Sequence, residues 1–245
     1  MRVLVPMAGD SARFEEQGFR WPKNLVEIEG KPLHERVLAQ LNGLGELVCL
    51  VQEEEISHYH TADAIRLLVP GATVLGVPAL DSGAACTALL AIEEIEPDRP
   101  LLVFNGDQVL DHDLSAITDD FERRGLDAGT VVFESVHPRW SYVKTDSEGL
   151  VVQAAEKRPI STQATAGTYW YRRGADFVEA LTEMILKDAH VEGRFFICPA
   201  FNEMILNRAR IGTYEIDPSE YFSLSTPEGV GQYAEHLAGW RRASV

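Results

Sequence analysis

Residues 3–14, VLVPMAGDSARF, begin as an apolar run and break off at Gly9 into a polar stretch that contains Arg13. The apolar run predicts a buried strand, and Gly9 allows the backbone to turn sharply directly after it. In parallel α/β sheets, ligands bind outside the carboxyl ends of the strands. The stretch therefore predicts the first strand of such a sheet, followed by a loop at its ligand-binding edge.

Strand-like and helix-like segments alternate from this stretch to about residue 125. Apolar runs predict strands at 2–7, 46–52, 72–78 and 100–106. Helical spacing of apolar residues predicts helices at 32–41, 54–69 and 84–95. Strands that are separated by helices of this length are typical of βαβ units. The first half is therefore predicted to form a parallel sheet.

The second half has a different pattern. Strand-like segments occupy 128–136, 141–157 and 166–173, with the turn signal DSEG at 146–149. Helices are predicted at 175–186 and 198–207, a strand at 212–216, and a last helix from about Pro227. We predict an α/β fold: a Rossmann-like mixed, mostly parallel sheet flanked by helices, with an antiparallel addition in the second half. Because no linker interrupts the pattern, residues 1–245 are expected to form one domain.

Composition excludes several classes of partner. With 38 acidic and 22 basic residues, the formal net charge is −16, which repels nucleic acid and anionic membranes. The three cysteines, Cys49, Cys86 and Cys198, show no disulfide or zinc spacing. The first apolar run is too short for a signal peptide, and no stretch reaches membrane-helix length. We expect a cytoplasmic protein, and the sequence is compatible with a homo-oligomer.

Two basic residues follow the first strand. Both suit the binding of phosphates at the Gly9 loop. Arg13 would bind them as a fork of hydrogen-bond donors, and Lys23, which follows Pro22, as a point charge. The alternative is a flexible surface loop with two solvated cations.

Acidic residues follow the later strands. Asp107 comes after the apolar run PLLVF and a glycine, which suits an Mg²⁺ ligand or, alternatively, a turn cap. Glu156 and Lys157 end a strand before Pro159 and suit sugar hydroxyls and a phosphate, or an exposed ion pair. The run Asp111-His112-Asp113 is predicted to be a capping and solvated cluster. We expect Glu53 to Glu55 to form a solvated helix start.

The order of these motifs resembles the sugar-phosphate nucleotidylyltransferases, a family with a GT-A-like fold. The opening signature of that family is similar to MAGDSARF and WPKNLVEIEGKPLHERVL here. The base-facing segment of the family is similar to SGAACTALLA in this chain, and its metal motif is similar to NGD. Its acceptor motif is similar to EKRP followed by ATAGTYWY, and its closing motif is similar to TPE. Ser11 stands where the family usually has a second glycine. The resemblance covers essentially the whole chain.

The resemblance implies a role for each matching residue, with residues 1–125 as the nucleotide-binding half and 126–245 as the acceptor-binding half. It assigns the nucleotide to Ala8, Gly9, Asp10, Ser11, Gly83 and Thr87, with the last two near the base. It assigns catalysis to Arg13 and Lys23, the acceptor to Glu156, Lys157 and Gly167, and Mg²⁺ to Asp107 and Asp217. Glu220 is the rival of Asp217 as the second metal ligand.

The predicted reaction is therefore nucleotidyl transfer. An NTP and a phosphorylated small molecule, such as a sugar phosphate, give an activated precursor for surface glycans and pyrophosphate, with Mg²⁺ as cofactor. The sequence identifies neither the nucleobase nor the acceptor. The acceptor is not limited to sugar phosphates, since relatives that use choline- or glycerol-type phosphates look similar. Two other hypotheses remain: a GT-A glycosyltransferase that uses 111–113 as an Asp-x-Asp motif, and a non-catalytic subunit that senses nucleotides or sugar phosphates.

Overall fold

The computed structural model describes residues 1–243, with side chains described for residues 1–239. Its strands are β1 (Arg2–Pro6), β2 (Glu27–Ile28), β3 (Lys31–Pro32), β4 (Glu46–Gln52), β5 (Thr73–Val77), β6 (Leu101–Phe104), β7 (Gln108–Leu110), β8 (Ala128–Glu134), β9 (Ser141–Thr145), β10 (Val151–Glu156), β11 (Gln163–Tyr171), β12 (Ile211–Glu215) and β13 (Tyr221–Ser223). Its helices are α1 (Ala12–Glu16), α2 (Leu33–Gln40), α3 (Glu53–Tyr59), α4 (Thr61–Leu68), α5 (Ala84–Leu89), α6 (Leu114–Arg123), α7 (Gly174–Leu186), α8 (Phe201–Leu206) and α9 (Pro227–Ala243). Single 3₁₀ turns lie at Lys23–Leu25, Ile92–Glu94, Cys198–Ala200 and Pro218–Glu220.

Nine of these strands form one central sheet, in the order β10-β9-β11-β6-β1-β4-β5, with β8 beside β11 and β12 beside β8. The pairs β1–β4, β1–β6 and β4–β5 are parallel. The pairs of β11 with β6, β8 and β9 are antiparallel. The predicted mixed sheet with an antiparallel addition in the second half is therefore confirmed.

Strand β11 creates a gap in this sheet. Along one edge it pairs with β8 from Gln163 to Tyr171, with a register shift between Thr165 and Tyr169. Along its other edge it pairs with β9 at Gln163 and Ala164 and with β6 from Thr168 onward. Because β9 and β6 share one edge of β11, the sheet opens between them. This opening lies beside the carboxyl end of β6.

Apolar layers cover both faces of the sheet. Val3 and Val5 of β1 pack into one layer with Trp170, whereas Leu4 packs into the other layer with Tyr171. This alternation follows from the two-residue period of a strand, and residues on both sides are excluded from water as expected for a parallel sheet. Both faces of β1 are therefore fixed, which fixes the position of the loop that follows it.

Two predicted helices differ in detail, and some short strands were not predicted. The helix expected at 54–69 is interrupted at His60, whose φ of 54° lies in the left-handed region, so that two shorter helices form. The helix expected at 84–95 ends at Leu89 and continues as a 3₁₀ turn. Strands β7 and β13 were not predicted, and they form a separate antiparallel pair. In the described part of the chain, no helix is long and apolar enough to cross a membrane.

Candidate functional site

A cleft of about 430 Å³ opens at the carboxyl ends of β1, β4 and β6, and the second half of the chain forms its opposite wall. The first half contributes Ala8, Gly9, Asp10, Lys23, Gln52, Gly83, Thr87, Asn105 and Asp107 to the lining. The second half contributes Arg139, Trp140, Ser141, Glu156, Lys157, Gly167, Tyr169, Arg194, Phe196, Tyr221, Ser223 and Ser225. Most of the residues singled out from the sequence therefore lie in one cleft.

The loop after β1 contacts Lys23 through Gly9 and Ser11. A Cβ atom on Gly9 would lie 2.9 Å from Lys23 Nζ, so a larger residue at position 9 would push the ammonium away. Ser11 Oγ accepts a hydrogen bond from Lys23 N at 2.9 Å, and Gln52 Nε2 donates to Ala8 O at 3.0 Å. Ser11 thus holds the Lys23 backbone and is not itself part of the cleft lining.

Lys23 and Asp107 meet at the centre of the cleft. Lys23 is only 6% exposed, and its Nζ lies 2.8 Å from Asp107 Oδ2. Asp107 follows β6 through Gly106, where a Cβ atom would lie 2.6 Å from Pro6 O, so the ends of β6 and β1 approach closely. The backbone carbonyl of Asp107 also accepts from Leu224 N at 2.7 Å. The structure therefore brings together two of the predicted residues that are 84 positions apart in sequence.

A buried carboxylate supports the segment that carries Lys23. Glu55 is 4% exposed, and its oxygens accept from Asn24 Nδ2 at 3.1 and 3.0 Å. The same amide nitrogen donates to Met7 O at 2.9 Å. Burial raises the pKa of Glu55, and the hydrogen bond from Asn24 opposes this increase. The expected solvated helix start is thus wrong for Glu55, which faces inward because α3 packs against the segment that carries Asn24.

Arg13 does not reach the cleft lining in this structure. It lies in α1, close to the start of α9. Gln17 Nε2 donates a hydrogen bond to Glu228 at 2.7 Å, and this bond lowers the pKa of the Glu228 carboxyl. The nearby charge of Arg13 lowers the same pKa further. The structure therefore groups Arg13 with Glu228 and not with Lys23 and Asp107.

Gly83 and Gly167 permit close approaches in the cleft wall. At Gly83 φ is +99°, and a Cβ atom there would lie 2.4 Å from Phe195 O. Thr87, one turn later, also lines the cleft. At Gly167 φ is +58°, and a Cβ atom would lie 2.4 Å from both Asn105 Nδ2 and Gln108 Oε1. Both glycines therefore stand where a side chain would collide with the opposite wall.

Glu156 and Lys157 lie at the end of β10, in the opposite wall. Ser141 Oγ donates to Glu156 Oε2, while burial raises the pKa of Glu156 more than this hydrogen bond lowers it. Lys157 has a φ of 51°, and its N donates to Trp140 O at 3.0 Å. Its Nζ pairs with Glu192 Oε2 at 2.5 Å. A half-buried carboxyl and a partnered ammonium therefore stand side by side.

Asp217 lies outside the cleft lining. Its Oδ1 accepts a hydrogen bond from Ser219 N at 2.8 Å and so caps the 3₁₀ turn 218–220. Glu220 accepts a hydrogen bond from Asp217 N and also pairs with His112 at 3.0 Å. The physical reason is the register of β13, which places Ser223 opposite Gln108 and Tyr221 opposite Leu110. The segment before Tyr221 thus continues away from Asp107.

Sequence reasoning missed several cleft residues. Ser223 and Ser225 lie near Asp107, and their hydroxyl oxygens are 2.9 Å apart. Ser141 was not predictable from the DSEG turn alone, because a register shift between Val151 and Gln153 brings it opposite Glu156. For Arg139 and Arg194, which lie in loops, no sequence signal was available.

The Asp111-His112-Asp113 cluster has structural contacts. Asp113 Oδ1 accepts from Ser115 N at 2.9 Å and caps α6. His112 Nε2 lies 3.0 Å from Tyr214 Oη, and Asp111 Oδ2 lies 3.4 Å from His236 Nε2. None of the three lines the cleft. The capping and solvated roles predicted for this cluster therefore agree with the structure.

Sequence comparisons identify a domain family and a distant relative. The sequence model of the MobA-like NTP transferase domain matches residues 3–182. The bifunctional protein GlmU of Methanococcus aeolicus is 24% identical over 188 residues, which cover 74% of this chain and 43% of that protein. The chain thus spans less than half the length of this relative.

Two solved structures show the fold. A nucleoside-diphosphate-sugar pyrophosphorylase from Vibrio cholerae RC9 is 24% identical, with a TM-score of 0.81, and the match covers 95% of this chain and 99% of that one. A UDP-glucose pyrophosphorylase in complex with UDP-glucose is 19% identical, with a TM-score of 0.78, and the match covers 97% and 98% of the two chains. The central mixed sheet is thus similar to that of both structures over almost the full chain.

Proposed function

The chain belongs to the MobA-like NTP transferase domains, and from this premise we propose that it transfers a nucleotidyl group to the phosphate of a sugar phosphate or a similar small phosphate ester. The resemblance inferred from the motif order is confirmed at the level of the family. In the proposed reaction an NTP is consumed, pyrophosphate is released, and Mg²⁺ is required. The product is an activated precursor, which we assign to surface-glycan synthesis in the cytoplasm.

The observation that carries the proposal is the contact between Lys23 and Asp107. A cation and a carboxylate, 2.8 Å apart, stand at the carboxyl ends of β1 and β6, where a parallel sheet binds ligands. A Cβ atom at Gly9 would lie 2.9 Å from Lys23 Nζ, so the loop after β1 passes close to the ammonium. This arrangement supports triphosphate binding, since the ammonium and the backbone of a narrow loop attract anions.

The residues present fit an Mg²⁺ site with one protein carboxylate. Mg²⁺ usually binds one or two carboxylates and completes its coordination with water and substrate phosphates. In the described part of the chain, no group of three metal-ligating side chains surrounds Asp107, so the remaining ligands would come from the NTP and water. Asp107 would hold the ion, which when bound offsets phosphate charge. For Asp217 to contribute, the turn that it caps would have to open.

The protein has little covalent chemistry to perform in this reaction. An oxygen of the acceptor phosphate forms a bond to the α-phosphorus, and the bond from the α-phosphorus to the pyrophosphate oxygen breaks. Lys23 stabilises the negative charge that develops on the phosphates, and the two walls align the reacting groups. We keep Arg13 in the proposal as a second cation for the NTP, which requires α1 to move toward the cleft.

Each wall of the cleft binds a different substrate in this proposal. We propose that the first half binds the NTP, with Ala8, Gly9 and Asp10 at the phosphates and Gly83 and Thr87 near the base. The second half binds the acceptor through the wall that contains Glu156, Lys157 and Gly167. The half-buried carboxyl of Glu156 suits hydroxyl groups, and the cations of this wall suit the acceptor phosphate.

Release of pyrophosphate tests this function. Each of the common NTPs is incubated with Mg²⁺ and a panel of sugar 1-phosphates, and pyrophosphate is measured by a coupled assay. We expect turnover with a preferred NTP that depends on both the acceptor and Mg²⁺. If nucleotide binds but no combination releases pyrophosphate, the sensing-subunit hypothesis replaces the proposal. Release of a nucleoside diphosphate from a nucleotide-sugar would favour the glycosyltransferase hypothesis instead.

A further inference from the structure

Two aromatic rings in the second-half wall of the cleft lie close to the protein's own cations. The guanidinium carbon of Arg139 lies 4.1 Å from the ring centroid of Trp140. The ammonium of Lys157 lies 5.5 Å from the ring centroid of Phe196. All four residues line the cleft. Both distances are within the range of favourable cation–π contacts.

These pairs belong to one continuous wall. The carbonyl of Trp140 accepts from Lys157 N at 3.0 Å, and the next residue, Ser141, donates to Glu156. The Trp140 ring packs against Phe133 and Tyr221 at centroid distances of 5.5 Å each. The ring beneath the Arg139 guanidinium is therefore held by neighbours from two strands, Phe133 of β8 and Tyr221 of β13.

Arg139 and Lys157 differ in their ionic partners. Lys157 is paired with Glu192, whereas Arg139 has no ion-pair partner among the residues whose side chains the structure describes. On a chain with a net charge of −16, a guanidinium without a carboxylate partner in a cleft is available for an anionic ligand.

A ligand that carries a quaternary ammonium group needs an open aromatic face and no competing cation. In this wall, both rings already have a basic side chain near the face, and a further positive charge would be repelled. A phosphate ester with a neutral organic part meets no such repulsion. Its hydroxyl groups would also find the hydrogen-bonding groups of Ser141, Glu156 and Thr165 in the lining.

We infer that Arg139 determines acceptor specificity: it binds the acceptor phosphate and rejects acceptors whose organic part carries a positive charge. The inference rests on the proposed function and specifies the class of its acceptor. Choline-type phosphates, one of the acceptor classes that the sequence left open, are excluded by it. Phosphate esters with neutral, hydroxyl-rich organic parts are retained.

A pair of isosteric probes tests the inference by binding alone. Phosphocholine and 3,3-dimethylbutyl phosphate differ only in that a neutral carbon replaces the quaternary nitrogen. Their dissociation constants are measured by titration calorimetry with the wild-type protein, Arg139→Ala and Arg66→Ala. Arg66 serves as the matched control, because it is an exposed arginine of α4 that lies 3.5 Å from Asp63 and outside the cleft.

We expect wild-type protein and Arg66→Ala to bind the neutral probe at least roughly fivefold more tightly than phosphocholine. In Arg139→Ala, the neutral probe should bind roughly tenfold more weakly, and the ratio of the two constants should decrease. Equal binding of both probes by the wild type, tighter binding of phosphocholine, binding of neither probe, or an unchanged ratio in Arg139→Ala would each overturn the inference. Because no step needs turnover, failure of the proposed function shows separately, as absent pyrophosphate release.

Discussion

At the scale of single residues, Lys23 shows how a charge can be nearly buried and still face a ligand cleft. Its backbone N donates to Ser11 Oγ, its ammonium lies close to Gly9, and the same ammonium pairs with Asp107. An ammonium with so little exposure needs such a partner, because an unpaired buried charge is strongly destabilising. The ion pair thus stabilises both charged groups when no ligand is bound. Phosphates would compete for Lys23, and a metal ion would compete for Asp107.

Asp107→Asn tests the metal assignment. The amide keeps the shape of the carboxylate and can still accept a hydrogen bond from Lys23, so the fold should be retained. Without the negative charge, Mg²⁺-dependent release of pyrophosphate should fall by roughly 10²-fold or more. The measurement is turnover at several Mg²⁺ concentrations, with circular dichroism as the fold control. Near-normal activity with unchanged Mg²⁺ dependence would show that Asp107 is only a turn residue.

Gly167→Ala tests the close approach of β11 to the cleft floor. The new Cβ would combine left-handed backbone strain with contacts of 2.4 Å to Asn105 and Gln108. The free energy of unfolding should therefore fall by about 2–4 kcal/mol. Gly149→Ala is the matched control, since φ is +77° there but no atom lies within 4 Å, and it should cost about 1 kcal/mol. Equal losses in urea denaturation would mean that the contacts at Gly167 are relaxed without cost.

At the scale of elements, α3 connects the sheet to the segment that carries Lys23. Glu55, in the first turn of α3, binds Asn24, and Asn24 binds the carbonyl of Met7 at the end of β1. The carbonyl of Asn24 also lies 2.8 Å from His34 Nδ1 in α2. This buried network fixes the residue next to Lys23 from three elements at once.

The pH dependence of stability tests the state of Glu55. Burial raises its pKa above the ordinary value of 4.5, so the folded protein binds the proton more tightly than the unfolded chain does. The stability associated with the proton is therefore fully present below pH 4.5 and is lost as the pH rises through the folded pKa. Glu55→Gln stays uncharged at every pH. Its free energy of unfolding should therefore increase relative to that of the wild type as the pH rises through the folded pKa of Glu55.

Urea denaturation at stepped pH values provides the measurement for Glu55→Gln. Glu54→Gln is the matched control, since Glu54 is exposed on the same helix turn and lies 3.9 Å from His58. The wild type and Glu54→Gln should share one pH profile. If Glu55→Gln shares it as well, the carboxyl of Glu55 titrates normally and the buried network does not depend on its charge.

The sequence predicted the elements that have strong periodicity and missed those that depend on tertiary contacts. The core strands β1, β4 and β6 each contain a continuous apolar run, so their positions followed from composition. In contrast, β7 and β13 have three residues each, too few for a periodic pattern, and exist because they pair with each other. The inward position of Glu55 likewise depends on Asn24, a residue 31 positions away.

The same limit applied to the candidate site. Gly9, Lys23 and Asp107 follow strands whose order could be inferred, so their meeting at one edge was predictable. Arg139 lies in a loop, and its place in the cleft is set by the split edge of β11. Asp217 and Ser223 are six residues apart, and only the register of β13 decides which of them stands near Asp107.

At the scale of the whole molecule, the cleft lies where the parallel half of the sheet meets the antiparallel addition. Binding of a preferred NTP with Mg²⁺ should stabilise the entire chain, because its ligands come from elements far apart in sequence. At about 100 times the dissociation constant, the gain is roughly 2.7 kcal/mol. For a chain of this size, Tm should rise by about 5–10 °C. A thermal-shift panel of NTPs with and without Mg²⁺ measures this rise, and the absence of any shift would contradict nucleotide binding in the cleft.

The most direct test of the account follows the α-phosphorus of the NTP. The preferred NTP, labelled with ³²P at the α-position, is incubated with Mg²⁺ and the acceptor, and the products are separated by chromatography. We predict that the label appears in a nucleoside-diphospho product that also contains the acceptor phosphate, that unlabelled pyrophosphate is released in equal amount, and that Lys23→Ala lowers both by roughly 10²-fold. Label that stays in the NTP with every acceptor, or equal product from Lys23→Ala, would contradict nucleotidyl transfer in this cleft.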